Sequence, residues 1–325
     1  MSYKSLPSKH KTVIVVPTIR AERINEWLNL WKEELKKSTI IIVEDNQSKK
    51  FKITQENVIH YSWKDIDKDL KDASWIVPRR TAAIRSYGFY KAYQLKPDIV
   101  ITLDDDCYPL DKDFVEKHNY YLSQSAATRW TQHAQSHLKM RGFPINLKRR
   151  PCVLNLGLWA NVPDLDGVTQ KANSDVRLES QSFNFSLALG QYAPISSMNI
   201  AFKPQIIPAF YFLLMGTSWE FDRFDDIWGG IIIKKIIDHL GFSISGGEPF
   251  VWHDKASNPE VNIKKEATGL KVNEYFWQAV DRIKLYEHDF KNCYLEIANN
   301  LDVQDDNTKY WNKLKQAMKL WASLY

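Results

Sequence analysis

DIVITLDDD, residues 98–106, is a short apolar run that leads directly into three consecutive aspartates. Its β-branched residues are typical of a strand buried on both faces, as in a parallel sheet. The same pattern occurs in TVIVVPTI at 12–19, which is interrupted by Pro17, and in TIIIVED at 39–45. We therefore predict three buried strands, each followed by polar residues.

Helical spacings separate these strands. Residues 21–36 carry Ile24, Trp27 and Leu28 on one face, and residues 79–95 also have helical apolar spacing. A further strand is expected at 57–62. Alternation of strands and helices favours an α/β fold of Rossmann type, with an open, mostly parallel sheet flanked by helices.

The second half is less regular. IWGGIIIKKIIDHL at 227–240 predicts an apolar helix that ends near Gly241, whereas the polar and basic residues 123–150 resist assignment. Residues 274–325 have helical spacings rich in tryptophan and tyrosine. We expect one catalytic domain over residues 1–273 and a helical appendage over 274–325.

The amino-acid composition argues against several classes of protein. The net charge of +5 is too small to indicate a nucleic-acid partner, and three scattered cysteines provide neither a disulfide framework nor a zinc spacing. The polar amino terminus lacks the apolar core of a signal peptide, and no stretch approaches the roughly 20 apolar residues of a membrane span. These features predict a cytoplasmic protein without a membrane span.

Topology predicts where a ligand binds. Open parallel sheets bind ligands beyond the carboxyl ends of their strands. Three segments then share one edge: Pro17, Thr18 and Arg20 after the first strand, Asp45 after the second, and the triplet at 104–106 after the third.

The triplet Asp104, Asp105 and Asp106 concentrates negative charge that a cation would neutralise. Carboxylate oxygens suit Mg²⁺ or Mn²⁺, which also bind phosphate oxygens. The alternative is a solvated acidic turn, a common use of aspartate. The position of the triplet directly after a buried strand favours the first interpretation, a metal site that holds a diphosphate.

Other polar residues near this edge are candidate ligands, and most of them also have an ordinary structural interpretation. Arg20 and Arg85 are candidate phosphate clamps or ordinary ion-pair residues. Asp45 is a candidate acceptor for a base or ribose, or a turn residue. His253 is a structural or merely exposed histidine, or it completes an aspartate-held metal site, and Lys255 would neutralise a phosphate.

A second acidic pair, Asp225 and Asp226, precedes the apolar helix. Aspartate is favoured in the first turn of a helix, so a capping role competes with a functional one. In the functional interpretation one carboxylate contacts sugar hydroxyls or acts as a general base.

Nine segments in the same order resemble the reversibly glycosylated polypeptides, the UDP-arabinopyranose mutase family, which is classed with glycosyltransferases of GT-A fold. The resemblance covers roughly residues 12–280. The segments are VVPTIR at 15–20, IIVED at 41–45, ITLDDDC at 101–107, RGFP at 141–144, GLWANVPDLD at 157–166, MNIAF at 198–202, LMG at 214–216, RFDDIWGG at 223–230 and HDKASNPEVNIKKE at 253–266.

The resemblance implies a GT-A-like fold, a UDP-sugar substrate, Mn²⁺ or Mg²⁺, and no flavin. Members interconvert the pyranose and furanose forms of UDP-L-arabinose and become reversibly glycosylated on an arginine. By motif match the triplet at 104–106 takes the metal and diphosphate role. Asp225 and Asp226 match the family's second acidic pair.

One segment departs from the family. The modified arginine follows an RGYPFSL-like segment, which here reads RGFPINL at 141–147. Aligned from the downstream side the chain is one residue short, and Leu147 takes the arginine's position. Lys148 and Arg149 are therefore the candidate catalytic cations, with Arg150 as a further neighbour.

Three functions follow. The first is a metal-dependent nucleotide-sugar mutase. The second is a glycosyltransferase that passes the sugar to a glycan, lipid or protein, which the altered acceptor segment would allow. The third is a catalytically silent nucleotide-sugar-binding subunit, since the aromatic carboxyl-terminal segment leaves a homo- or hetero-oligomer open.

Overall fold

Parallel β-structure forms the centre of the protein. A computed structural model describes residues 11–126, 130, 141–144, 146–255 and 257–325. The strands of this part are β1 (Thr12–Thr18), β2 (Thr39–Glu44), β3 (Val58–Tyr61), β4 (Ile99–Leu103), β5 (Cys107–Pro109), β6 (Ser125–Ala126), β7 (Arg150–Asn161), β8 (Asn184–Ser186), β9 (Asn199–Phe202) and β10 (Ser243–His253).

Helices cover the sheet and form the carboxyl-terminal part. Short 3₁₀ helices also lie at Lys71–Ile76, Ala82–Ile84 and Pro204–Ala209. The α-helices of the described residues are α1 (Ala21–Leu30), α2 (Trp63–Leu70), α3 (Arg85–Gln94), α4 (Phe114–Ser123), α5 (Gly167–Ala172), α6 (Asp225–His239), α7 (Pro259–Asp281), α8 (Phe290–Asn300) and α9 (Thr308–Ser323).

The sheet has the strand order β3-β2-β1-β4-β9-β7-β10-β5. β1 pairs in parallel with β2 and β4, β2 with β3, and β7 with β10. β9 lies antiparallel between β4 and β7, so those two strands point the same way. The prediction of an α/β fold with a mostly parallel open sheet and carboxyl-terminal helices is confirmed.

Both faces of the sheet are buried, as the apolar runs predict. In β1, Val13 and Val15 belong to one core cluster, and Ile14 and Val16 belong to the other. Successive side chains point to opposite faces of a strand, so a uniformly apolar strand requires cover on both sides. The carboxyl ends of these strands are thereby held rigidly at one edge.

Helix α3 packs closely on β1 at Gly88. A Cβ atom on this residue would lie 2.4 Å from Cγ1 of Val15, so glycine permits the approach. The predicted helix at 79–95 becomes α-helical only at Arg85, after the 3₁₀ turn at Ala82–Ile84. Consequently Arg85 begins the helix at the same edge as the triplet.

The carboxyl-terminal helices share the core of the sheet domain. Trp321 of α9 stacks on Tyr211 with ring centroids 5.3 Å apart, and its Nε1 donates to the carbonyl of Ile207 at 3.1 Å. The expected division between residues 273 and 274 falls within the continuous helix α7. No helix in the described part of the chain is long and apolar enough to cross a membrane.

Candidate nucleotide-sugar site

A cleft of about 720 Å³ opens at the carboxyl ends of β1, β2, β4 and β10 and at the start of α6. It includes the edge that the topology predicts as the ligand site. The predicted residues that line it are Pro17, Thr18, Arg20, Asp45, Arg85, Asp104, Asp105, Asp106, Asp225, Asp226, His253 and Lys255.

Asp105 is the most buried member of the triplet, with 2% exposed. Its Oδ2 accepts hydrogen bonds from the Thr18 hydroxyl and from Nε of Arg20 at 3.1 Å, and Oδ1 accepts from Nη2 of Arg20. Asp105 therefore fixes Arg20 and the end of β1. The Arg20 side chain keeps 37% exposure beside the cleft.

Asp104 is supported by a buried guanidinium. Arg85, 1% exposed, donates from Nη2 to Asp104, and from Nη1 to the Thr102 hydroxyl and the Ser197 carbonyl, both at 2.8 Å. Burial alone would raise the pKa of Asp104, but the charge and hydrogen bond of Arg85 hold it below its usual value. Asp104 is thus kept ionised, with 34% of its side chain exposed.

Asp106 and His253 lie on the same side of the cleft. Burial, followed by the negative charge of Asp104, raises the pKa of Asp106. Nδ1 of His253 donates to the Val162 carbonyl at 2.7 Å, so the neutral imidazole keeps its lone pair on Nε2. Within the described ranges, no three acidic, histidine or cysteine side chains form a ready-made metal cluster.

Asp45 ties two segments of the cleft wall together. Its Oδ1 accepts from the Trp63 indole at 2.7 Å, and its Oδ2 accepts from the backbone N–H of Thr81 at 3.1 Å. Burial raises the pKa of this carboxyl. Asp45 therefore holds the segment before α3 against the end of β2, and a contact with base or ribose stays a prediction.

The second acidic pair begins α6. Asp226 accepts hydrogen bonds from the backbone N–H and the hydroxyl of Ser197, both at 2.9 Å. Asp225 is 3% exposed and lies deeper. In the same cleft, Nζ of Lys255 donates to the Leu165 carbonyl at 3.3 Å. One cleft therefore holds both acidic groups and a lysine.

Comparison with known proteins gives the family. A model of the reversibly glycosylated polypeptide family matches residues 7–325. The chain belongs to this family. It is 32% identical to UDP-arabinopyranose mutase 1 of Oryza sativa subsp. japonica over 99% of this chain and 93% of that protein. It is 30% identical to UDP-arabinopyranose mutase 1 of Arabidopsis thaliana over 98% and 92%.

These relatives are enzymes, so this chain belongs to a family of enzymes. Similarity to solved structures is low. A197 from STIV aligns with a TM-score of 0.35 and 8% identity over 73% of this chain and 81% of that one. Apo mouse xyloside xylosyltransferase 1 aligns with a TM-score of 0.28 and 9% identity over 60% and 67%.

Several cleft residues of this family member were not predicted. Glu266 of α7 accepts from Nε of Arg223 at 2.8 Å and from the backbone N–H of Gly167 at 2.6 Å. The Ser196 hydroxyl donates to Asp164 at 2.6 Å. The segments at 157–166, 223–230 and 253–266 contain Asp164, Arg223 and Glu266, and this clustering was the available signal.

The structure places the candidate cations at 148–150 away from the cleft, and their catalytic role stays a prediction. Arg150 begins β7, and its guanidinium contacts Asp238 and the Phe242 carbonyl. The cleft is at the opposite end of this strand, roughly 35 Å away at strand spacing. Lys148 and Arg149 precede β7 on its amino-terminal side, are exposed, and do not line the cleft.

The direction of β7 explains where these residues lie. β7 is parallel to β10, whose last residue, His253, lines the cleft, so Arg150 starts at the far edge. Residues 127–129, 131–140 and 145 of the acceptor region lie outside the described part of the chain. The glycosyl-acceptor position therefore stays a prediction.

Proposed function

We propose that this chain is a nucleotide-sugar mutase that interconverts the pyranose and furanose forms of a UDP-sugar, with a divalent metal and without flavin. The observation that carries the proposal is the cleft itself. It brings the triplet at 104–106 and the pair at 225–226 together, in a chain matched to mutases along nearly its whole length. UDP-arabinopyranose is the first substrate to test, because the relatives' names specify it.

The donor types present fit Mn²⁺ or Mg²⁺. Asp104 and Asp106 supply carboxylate oxygens, and His253 presents Nε2 because its Nδ1 is bound to a carbonyl. Diphosphate oxygens would supply further ligands. When bound, such an ion supplies positive charge that stabilises the departing diphosphate.

Two cationic side chains of the protein bind the diphosphate end of the substrate. Arg20, exposed by 37%, and Lys255 both line the cleft beside the triplet. Burial lowers the pKa of Lys255. These two side chains bind and orient phosphate oxygens, so that the sugar extends from the triplet toward Asp225 and Asp226.

The acidic pair acts on the sugar. Pyranose and furanose forms are isomers, so one ring oxygen gains a proton and another hydroxyl loses one. A carboxylate within hydrogen-bond reach of both oxygens accepts the proton from the hydroxyl that closes the new ring. It then delivers this proton to the oxygen of the ring that opens. Either Asp225 or Asp226 provides that carboxylate.

The direct test is incubation of the purified chain with UDP-arabinopyranose and other UDP-sugars in Mn²⁺, followed by chromatographic separation. A ring-contracted product without any added acceptor supports the mutase. Absence of that product with every UDP-sugar, under conditions where UDP and Mn²⁺ bind, would overturn it.

A second candidate is a glycosyltransferase with an external acceptor. It is favoured by the altered segment RGFPINL at 141–147, where Leu147 takes the position of the family's modified arginine. Release of UDP that depends on an added glycan, lipid or protein acceptor would support this activity. Isomerisation without an acceptor would count against it.

A further inference from the structure

Asp225 and Asp226 are adjacent at the start of α6, but their surroundings differ. Asp225 is 3% exposed, whereas Asp226 is half-buried, and both line the cleft. Identical side chains in different environments separate into different protonation states. The following assignment of roles rests on the proposed mutase function and deepens it.

Asp226 has the surroundings of an ionised carboxylate. Its Oδ2 accepts from the backbone N–H and the hydroxyl of Ser197 at 2.9 Å each, and its Oδ1 accepts from the backbone N–H of Ile227 at 2.9 Å. Burial raises the pKa of Asp226, and the hydrogen bonds from Ser197 oppose that shift. Three donors and the amino terminus of α6 stabilise negative charge on this carboxyl. The same contacts fix the direction in which the carboxylate faces the cleft.

Asp225 has the surroundings of a neutral acid. Its Oδ2 is buried and has no hydrogen-bond partner among the described residues. Burial and then the negative charge of Asp226 raise the pKa of Asp225 to about 8. The charged or titratable groups that act on it are Arg85 of α3, Asp222 and Arg223 before α6, Asp226 beside it, and Tyr310 of α9.

Ionisation of one carboxyl of this adjacent pair disfavours ionisation of the other, because the two negative charges repel. Asp225 lacks a donor for Oδ2, whereas Asp226 has three donors for its two oxygens. The proton of the pair therefore belongs on Asp225. Asp226 remains the negative group at the cleft surface.

We propose that Asp226 is the catalytic carboxylate that exchanges a proton with the sugar, and that Asp225 is its protonated positioning neighbour. UDP first departs from the anomeric carbon with the electron pair of their bond, and the hydroxyl that closes the new ring then bonds to that carbon and loses its proton to Asp226. The bond from the anomeric carbon to the old ring oxygen breaks, its electron pair stays on that oxygen, and the oxygen takes the proton from Asp226. The retained UDP bonds to the anomeric carbon again, so no external acid, base or redox partner is consumed.

The test compares Asp226→Asn with Asp225→Asn. Asp226→Asn lowers kcat at least about 100-fold, as expected for loss of a general base, with KM and UDP affinity changed less than about threefold. Asp225→Asn, whose amide replaces a neutral acid, stays within about tenfold of the wild type and loses the inflection near pH 8 in the pH profile. The reverse ranking of the two variants would overturn the assignment.

Two variants control for indirect effects. Ser197→Ala removes one donor to Asp226 but keeps the backbone N–H, and it lowers kcat about tenfold without changing UDP affinity. Asp238→Asn removes a carboxylate roughly 18 Å further along α6, outside the cleft, and leaves kcat within twofold. Equal losses in Asp238→Asn and Asp226→Asn would attribute the effect to the helix rather than to the proton transfer.

An infrared measurement separates this assignment from the mutase proposal, because it needs no turnover. At pH 6 the carbonyl band of a buried protonated carboxyl disappears in Asp225→Asn and persists in Asp226→Asn. Loss of the band only in Asp226→Asn would overturn the assignment even if the mutase is active. An inactive wild type that binds UDP and shows the Asp225 band would overturn the mutase and leave the protonation states standing.

Discussion

Arg85 lies on the buried side of Asp104 and donates a hydrogen bond to its carboxylate. The same guanidinium donates to the carbonyl of Ser197, whose N–H and hydroxyl hold Asp226. A single buried cation therefore connects the triplet with the second acidic pair. This connection explains how two acidic groups more than 100 residues apart in sequence keep a fixed relation across the cleft.

Loss of Arg85 should uncouple these groups. Removing one partner from a buried ion pair costs about 3–5 kcal/mol, and partial exposure of Asp104 favours the lower end of that range. We expect Arg85→Met to lower the free energy of unfolding by about 3 kcal/mol. The double variant with Asp104→Asn should lose less than the sum of the single losses, by roughly 1–3 kcal/mol.

Urea unfolding of the four proteins measures this coupling. Lys234→Met is a matched control, because it removes a buried lysine paired with Asp238 roughly 12 Å along α6 from Asp226. The control should lose stability but keep UDP affinity, whereas Arg85→Met should lose both. Additive losses in the double-mutant cycle would contradict a direct coupling.

The pKa of Asp225 predicts a pH-dependent stability. With a folded-state pKa of about 8 and an unfolded value near 3.9, the folded chain holds a proton that the unfolded chain releases between these values. Stability is therefore highest below about pH 4 for this group and falls as pH rises toward 8, by up to about 1.4 kcal/mol per pH unit.

Asp225→Asn removes this contribution, because the amide does not ionise. Urea unfolding at several values between pH 5 and pH 8 should give a wild type that loses stability relative to Asp225→Asn as pH rises. The difference between the two free energies of unfolding reports on Asp225 alone, since all other ionisable residues remain in both proteins. Parallel stability curves for the two proteins would refute a protonated Asp225.

The three aspartates of the triplet should differ in their contributions to stability and to metal binding, although they are the same residue type. Asp105 is buried against Thr18 and Arg20, whereas Asp106 lies beside His253. Asp105→Asn should lower the free energy of unfolding by roughly 3 kcal/mol and leave Mn²⁺ affinity nearly unchanged. Asp106→Asn should weaken Mn²⁺ binding by about 10–100-fold or more with a smaller effect on stability.

Calorimetric titration of Mn²⁺ in the presence of UDP measures the affinities, and urea unfolding measures the stabilities. Chelation of the metal should weaken UDP binding in the wild type, and added Mn²⁺ should restore it. Equal losses of Mn²⁺ affinity in both variants, with unchanged stability, would contradict this division of roles.

Sequence patterns predicted the edge of the cleft because its residues directly follow buried strands. Asp45 and the triplet at 104–106 converge through the parallel sheet alone, without knowledge of any side-chain contact. In contrast, the contact of Arg85 with Ser197 spans 112 residues, and that of Glu266 with Gly167 spans 99. Such pairs depend on packing that no local pattern encodes.

The same limit applies to the candidate cations at 148–150. Residues 123–150 have no clear periodicity, so the start and direction of β7 could not be predicted from them. Once β7 begins at Arg150 and runs parallel to β10, Lys148 and Arg149 must lie at the opposite edge from His253. The different burial of Asp105 and Asp106 was equally hidden, because only tertiary partners distinguish identical neighbours.

The carboxyl-terminal helices should unfold together with the sheet. Trp321 of α9 is fully buried and stacks on Tyr211, whereas Trp277 of α7 is 40% exposed. Trp321→Ala removes a large buried ring and should cost about 3–5 kcal/mol. Trp277→Ala is the matched control and should cost about 1 kcal/mol or less, because much of its ring remains in water.

Urea unfolding followed by both fluorescence and far-ultraviolet circular dichroism gives the decisive measurement. A shared core predicts one cooperative transition that shifts as a whole in Trp321→Ala, with UDP affinity lost over the same urea range. An independent appendage over residues 274–325 would instead give a separate early transition and leave UDP binding intact. The continuous helix α7 and the stacking of Trp321 on Tyr211 favour the single transition.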